Sequence, residues 1–291
     1  MQKVKTVLAL GYFDGVHIGH RAVIEKAKEV ANNLDCSLTV LTFRGDLRSF
    51  FNKNCLGQIY TYSEKEDIIK EFSDASIFGL PTTVEFLKKT KKEFLDFLNE
   101  KFNVSCYVSG QDYKFGCDFG DIEFLKQYAK EKSQRVFTVS PVLFKGEKIS
   151  SSVIKKLLQS GDVKCANALL KRDYSIKGEV FKDRAVGRNL GFPTANIRID
   201  ENKALLRKGV YKGYAIINGK KYLAVINYGD RPTFSVKGNQ IEAHFINFNG
   251  TLYGETLTVY FTDYIREIKK FSCEKELCLQ IQKDVLSLKE F

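Results

Sequence analysis

The spacing of apolar residues divides the 291-residue chain into two halves of different period. In the first half, short apolar runs alternate with helical patterns. Thr6–Leu10, Ser37–Phe43, residues 105–108 and Arg135–Val139 read as short buried strands. Between the first two, Val23, Ala27, Val30 and Leu34 recur at helical spacing. Ser63-Glu64-Lys65-Glu66 and Thr90-Lys91-Lys92-Glu93 both have capping-box form, a hydroxyl followed three residues later by glutamate. After Thr90, Phe94, Leu95, Phe97, Leu98 and Phe102 supply a buried helical face. Such alternation predicts an open parallel sheet covered by helices, in which ligands bind beyond the carboxyl ends of the strands.

The alternation stops near Leu170. Residues 162–170 predict a last helix and 171–173 a charged connector. From Tyr174 the period becomes that of strands. Asn218-Gly219, between apolar runs at 211–217 and 222–226, is a strong hairpin signal. Asn249-Gly250 marks another turn, and Leu257, Val259 and Phe261 share one side of a strand. Leu277, Ile281, Val285 and Leu288 line one face of a closing helix. The expected architecture is α/β followed by β: an α/β domain over 1–170, then a small antiparallel β-barrel with a C-terminal helix over 171–291. No internal repeat or low-complexity tract interrupts it.

Composition narrows the class. The chain is 44% hydrophobic, as a soluble globular protein is, and has no apolar run of membrane-spanning length. It enters a strand almost at once, with no signal-peptide pattern. Seven cysteines without a C-x-x-C pair predict free thiols in a reducing cytoplasm. The net charge of +11 is spread over lysines interleaved with acidic residues, so it is read as a solvated surface. Neither nucleic acid nor membrane is expected as a partner, and homo-oligomer formation is left open.

The chemistry concentrates in a few loops. Gly11-Tyr12-Phe13-Asp14-Gly15-Val16-His17-Ile18-Gly19-His20 joins the first strand to the first helix and holds two of the three histidines. Glycines let backbone approach a ligand, a helix N-terminus suits phosphate, and two imidazoles there can donate to phosphate oxygens. The plainer alternative is a tight turn with two surface histidines; a zinc pair lacks its remaining ligands. Two further loops are expected to converge there, residues 109–116 and Ile149-Ser150-Ser151-Ser152-Val153-Ile154-Lys155, although serines before a helix are commonly only caps. In the second half, Gly187-Arg188-Asn189-Leu190-Gly191-Phe192-Pro193-Thr194-Ala195-Asn196 is the densest motif. The Thr194 hydroxyl and the Asn196 amide oxygen are hard donors suited to magnesium. Two residues apart in extended chain, they face the same way.

These motifs carry a resemblance. Residues 11–20 resemble the GxFDGxHxGH signature of nucleotidylyltransferases as found in bacterial FAD synthetases, and 187–196 resemble the GRxLGFPTAN segment of riboflavin kinases. Asn227-Tyr228-Gly229 with the following Pro232-Thr233-Phe234, Ile241-Glu242-Ala243-His244, Leu252-Tyr253-Gly254, and Arg266 with Phe271 continue the match in order. Nearly the whole chain is similar to the bifunctional riboflavin kinase/FMN adenylyltransferase family. The resemblance implies a Rossmann-like nucleotidylyltransferase domain, then a riboflavin kinase barrel. It implies ATP as co-substrate, magnesium, and FMN and FAD as substrate and product. By it His17, His20 and Glu242 are catalytic, Glu242 as base for the riboflavin 5′-hydroxyl. Gly11, Phe13, Asp14, Gly15, Gly19, Ser151, Ser152 and Lys155 bind ATP in the first half, and Gly187, Gly191, Pro193 and Asn227 in the second. Phe43, Asp112, Phe115 and Arg266 contact flavin, Phe115 by stacking or packing, and Thr194 and Asn196 hold the metal.

Two departures bear on this. Lys155 stands where arginine is usual, keeping the charge without the planar fork. Arg44-Gly45-Asp46 follows Thr42-Phe43 where the family often has a Pro-His-Pro segment bordering the flavin. Three rivals follow: an enzyme with one working half, most readily the kinase; a non-enzymatic flavin- or RNA-binding regulator on the same scaffold; and another nucleotidyltransferase, such as a cytidylyltransferase.

Overall fold

The structure, a computed structural model, describes residues 5–47, 57–182, 192–204, 206–229 and 240–288. By its contacts the chain forms two compact units, Met1–Ser151 and Ser152–Phe291.

The first unit is a five-stranded parallel sheet. In chain order its elements are β1 (Thr6–Leu10), α1 (Ile18–Leu34), β2 (Ser37–Phe43), α2 (Tyr62–Lys70), β3 (Ser76–Leu80), α3 (Val84–Leu87), α4 (Lys91–Lys101), β4 (Val104–Gly110), α5 (Ile122–Glu131) and β5 (Arg135–Val139), with a small ribbon of β6 (Leu143–Phe144) and β7 (Glu147–Lys148). The strand order β3-β2-β1-β4-β5 reverses direction between β1 and β4. That switch point leaves a crevice past their carboxyl ends, and the histidine turn follows β1. All five residues of β1 are buried, which fits a strand covered on both faces. One core cluster runs from Leu8 and Leu10 through Leu41 and Leu80 to Phe94, Leu95, Leu98 and Leu125.

Sequence and structure agree on β1, β2 and β5, and β4 extends beyond residues 105–108. β3 is additional: an edge strand, half-buried over much of its length, with Gly79 inside it. The Thr90 capping box is present. The expected box at Ser63 is not; Thr61 caps α2 with Glu64 returning to it, and Ser63 lies in the first turn.

Two helices, α6 (Ser151–Ser160) and α7 (Val163–Leu170), precede the barrel strands. Asp162 caps α7 through the Cys165 N–H. The strands β8 (Tyr174–Phe181), β9 (Ala195–Arg198), β10 (Gly209–Ile217), β11 (Lys220–Gly229), β12 (Gln240–Phe245) and β13 (Thr256–Arg266) close in the order β10-β11-β12-β9-β8-β13, every pair antiparallel. Asn218 and Gly219 both have positive φ, as the expected two-residue hairpin requires. Ile241, Ala243 and Phe245 face the interior, so Gln240, Glu242 and His244 take the opposite face. α8 (Glu274–Ser287) lies against the barrel, where Val285 and Leu288 pack with Val210, Val225, Ile246 and Ile265.

Candidate active sites

In the first unit, the turn after β1 is wound tightly. Phe13, Gly15 and Val16 have φ of 51°, 89° and 42°. A β-branched residue at positive φ costs about 1–3 kcal/mol and persists only where its surroundings over-determine it. Val16 is fully buried, and the Asp14 carboxylate accepts from the Ile59 N–H at 2.7 Å. The turn is further tied to the start of α6: Ser151 Oγ donates to the Asp14 carbonyl at 2.6 Å.

The turn delivers His17 as the N-cap of α1. Its Nδ1 accepts from the His20 N–H at 3.3 Å, which leaves Nε2 as the protonated nitrogen of the neutral ring. His20 stacks on His17 with centroids 3.6 Å apart, and Phe13 meets His20 edge-on at 5.4 Å. Gly19 admits this stack, since a Cβ there would lie 3.2 Å from His17 Cε1. Burial lowers the His17 pKa to about 4. Burial, then the charges of His17 and Lys65, hold His20 well below its ordinary value. Both imidazoles are therefore neutral near pH 7, able to donate a hydrogen bond without carrying charge. An uncharged donor pair at a helix N-terminus suits a ligand that brings its own negative charge.

A cavity of about 400 Å³ opens over this pair. Gly11, Phe13, Asp14, His17, Gly19 and His20 line it. So do Ser151 and Asp112; Asp112 is ion-paired with Lys148. The loops after β1, β4 and β5 thus converge. Gly15 is buried within the turn. Phe115 and Phe43 do not line the cavity. Phe115 is in the core, stacked on Tyr113 and tilted against Phe94, so its aromatic ring is a packing group. Phe43 packs on the same cluster and against Tyr12. The aromatic wall is instead Tyr12 and Tyr113, two residues the sequence reading assigned no role. Ser152 and Lys155 lie in the second unit on α6, and the Lys155 side chain is fully buried.

In the second unit, antiparallel registry builds the site. Asn196 on β9 pairs with Glu242 on β12, which pairs with Asn227 on β11. Directly opposed residues project to the same face, so these three form one row. Thr194, two residues before Asn196, joins it by donating its hydroxyl to Glu242 Oε1 at 2.9 Å. His244 accepts no catalytic task here: its Nδ1 bonds the Pro193 carbonyl at 2.8 Å and its ring meets Phe192 edge-on, which positions the residues before Thr194. A cavity of about 370 Å³ adjoins Pro193 and Thr194, walled by Phe245, Phe248, Leu252 and Tyr253.

Arg266 stands at the far end of the row, opposite Val210, which in turn opposes Asn227. Its guanidinium is taken up by Asp284 of α8, with Nη2 to Oδ2 at 2.7 Å and Nε to Oδ1 at 3.1 Å. The structure therefore gives Arg266 a helix-anchoring contact where the sequence implied a flavin contact. Gly187 and Gly191 lie outside the described residues.

A parallel sheet presenting phosphate-type donors at its switch point, followed by a closed barrel carrying a hydroxyl–amide–carboxylate row, defines a two-domain transferase. Comparison with known proteins makes this specific. The FAD synthetase family model matches residues 1–153 and the riboflavin kinase model matches 170–291. A bifunctional riboflavin kinase/FMN adenylyltransferase from Bacillus subtilis is 34% identical over 97% of this chain and 91% of its own length. One from Escherichia coli is 29% identical over 98% and 92%. A crystal structure described as a macrolide-efflux protein from Streptococcus pneumoniae superimposes with a TM-score of 0.88 at 30% identity, covering 100% of this chain and 95% of that one. Among the described residues no helix is long and apolar enough to cross a membrane. The chain belongs to the bifunctional riboflavin kinase/FMN adenylyltransferase family.

Proposed function

We propose that this chain makes FAD from riboflavin in two steps at two separate sites. The barrel, residues 171–291, converts riboflavin and ATP to FMN and ADP; the α/β domain, residues 1–170, converts FMN and a second ATP to FAD and diphosphate. The observation that carries the reading is that Thr194, Asn196 and Glu242 meet in one row while a neutral His17–His20 pair faces a separate cavity.

In the barrel, the riboflavin 5′-oxygen attacks the γ-phosphorus and the bond to the ADP oxygen breaks. Glu242 takes the hydroxyl proton, held in register by the Thr194 hydroxyl. The cavity beside Thr194 suits the ATP base, with apolar and aromatic walls for a flat ring. Magnesium fits the residues present. Asn227 Oδ1 is buried without a hydrogen-bond partner in the same row as Asn196 and Glu242, and hydroxyl and amide oxygens are its preferred donors. Among the described residues no His, Cys, Asp and Glu cluster offers another site. Thr194 and Asn196 would hold the ion, which would neutralise phosphate charge.

In the α/β domain, an FMN phosphate oxygen attacks the α-phosphorus and diphosphate leaves. No protein nucleophile is needed. His17 and His20 donate to the phosphate oxygens as charge builds, a role open to neutral imidazoles. Asp112 and Tyr113 border the flavin side, and Ser151, which lines the same cavity, holds the leaving group. Riboflavin, FMN and ATP are the partners in this reading, and the free thiols among the described residues support a cytoplasmic location.

The test is to incubate the chain with riboflavin, ATP and magnesium and separate the flavins. FMN should appear first and FAD accumulate. FMN alone would favour the one-half rival, for which Arg44-Gly45-Asp46 in place of Pro-His-Pro is the specific ground. No flavin product at all would favour a binding protein.

A further inference from the structure

Behind the first cavity lies a charge that the mechanism above does not use. Lys65 is fully buried on α2, near the helix's N-terminal end. That is a costly place for an ammonium: burial opposes the charge, and the positive pole of the helix opposes it again. Its Nζ donates to Thr42 Oγ1 at 3.0 Å and to the Phe43 carbonyl at 3.1 Å, and it sits 4.9 Å from the centre of the Tyr12 ring. Thr42 Oγ1 passes the contact on, donating to the Tyr12 carbonyl at 2.7 Å. Each donor in this chain strengthens the next. Tyr12 also reaches Asp46 through its hydroxyl at 3.1 Å. Tyr12 lines the cavity and directly precedes Phe13, whose ring supports His20.

We propose that Lys65 is a positioning residue for adenylyl transfer. Acting through Thr42 and the Tyr12 carbonyl, it fixes the Gly11–Tyr12–Phe13 backbone beneath His20 and places a fixed positive charge behind the phosphate-binding turn. The Arg44-Gly45-Asp46 departure belongs to the same device, since Asp46 holds the Tyr12 hydroxyl where a Pro-His-Pro segment would otherwise run. The proposal rests on reading this cavity as the adenylylation site.

The electrostatics agree with the geometry. The groups facing Lys65 are Asp14 from the turn, Asp46 after β2, His20 from α1 and the Tyr12 ring. Burial lowers the Lys65 pKa to about 8, with Asp14 and Asp46 acting against the fall. The ammonium in turn helps keep His20 neutral. Lys65 is thus charged at pH 7 and loses its charge within the range where the enzyme can be assayed.

The experiment uses the full chain and follows FMN and FAD formation separately from pH 6.5 to 9.5. Wild type should show kcat for FAD formation falling as pH rises through about 8. Lys65→Met should form FAD about 10–100-fold more slowly at pH 7, the cost of a displaced donor pair, with FMN formation unchanged. It should also lack the alkaline fall. Lys65→Arg, charged throughout this range, should recover much of the rate and carry it undiminished past pH 9. A purely structural role would lower thermal stability in Lys65→Met while leaving the alkaline fall in place, and that result overturns the proposal. So does a wild-type profile without any fall between pH 7 and 9, an outcome that stands even if a variant does not fold. Wild type that forms no FAD at any pH would instead refute the assignment of the cavity.

Discussion

Replacing His17 with asparagine separates its electrostatic cost from its capping role. Asparagine is a good N-cap, so the start of α1 keeps a side-chain acceptor, but the buried imidazole is gone. In wild type, burial lowers the His17 pKa from 6.5 to about 4. Well above pH 6.5 both folded and unfolded chains carry the neutral ring, and it contributes no pH dependence. Below that, the unfolded chain takes up a proton that the folded chain refuses until about pH 4. Stability therefore falls as pH falls across this window. The ring is only 5% exposed, so little solvent screening applies. The two pKa values give a loss of about 2 kcal/mol by pH 5 and about 3 kcal/mol by pH 4, relative to pH 7. The assay is unfolding of the N-terminal unit in urea at pH 7 and pH 5, read through hydrogen exchange of the β1 and α1 amides. His17→Asn should lose about 2 kcal/mol less than wild type between these two pH values. Equal losses in the two proteins would mean that His17 is not held neutral by burial, and the case for an uncharged donor pair would fail.

Other changes act on one site at a time. His20→Ala removes a preorganised donor and should slow FAD formation at least about 100-fold, while FMN formation continues; rates from separated flavins decide it. Glu242→Gln keeps an acceptor for Thr194 but removes the base, so riboflavin phosphorylation should fall about 100-fold or more with FMN-to-FAD conversion spared. Asp284→Ala leaves Arg266 without its partner at a largely buried pair and should cost about 3–5 kcal/mol, seen as early hydrogen exchange in α8.

Much of this molecule was legible in its sequence, and the exceptions have physical causes. β1, β2 and β5 are short apolar runs between turn residues, and the two motifs at 11–20 and 187–196 are dense in glycine and polar residues. β3 escaped because an edge strand needs only one covered face, and Gly79 breaks its run. The α2 cap was misplaced because Thr61 and Ser63 each stand three residues before a glutamate, and only the backbone decides between them. Phe115 follows a strand in a loop, where ring chemistry alone does not separate a core residue from a ligand contact; its neighbouring rings, Phe94, Tyr113 and Phe124, decide for the core. The row of Asn196, Glu242 and Asn227 joins distant positions through strand register, and the pairing of Arg266 with Asp284 does so through the docking of α8; residue spacing reveals neither. Lys65 read as one more surface lysine in a charged helix. Only its burial marks it out.

The central claim, two complete and independent sites on one chain, has a direct measurement. His20→Ala and Glu242→Gln are mixed in one solution with riboflavin, ATP and magnesium, and FAD is compared with that made by each variant alone. Each alone should make little FAD. The mixture should restore it, because FMN released by the intact barrel of one variant reaches the intact histidine pair of the other. A mixture no better than the single variants would contradict the account.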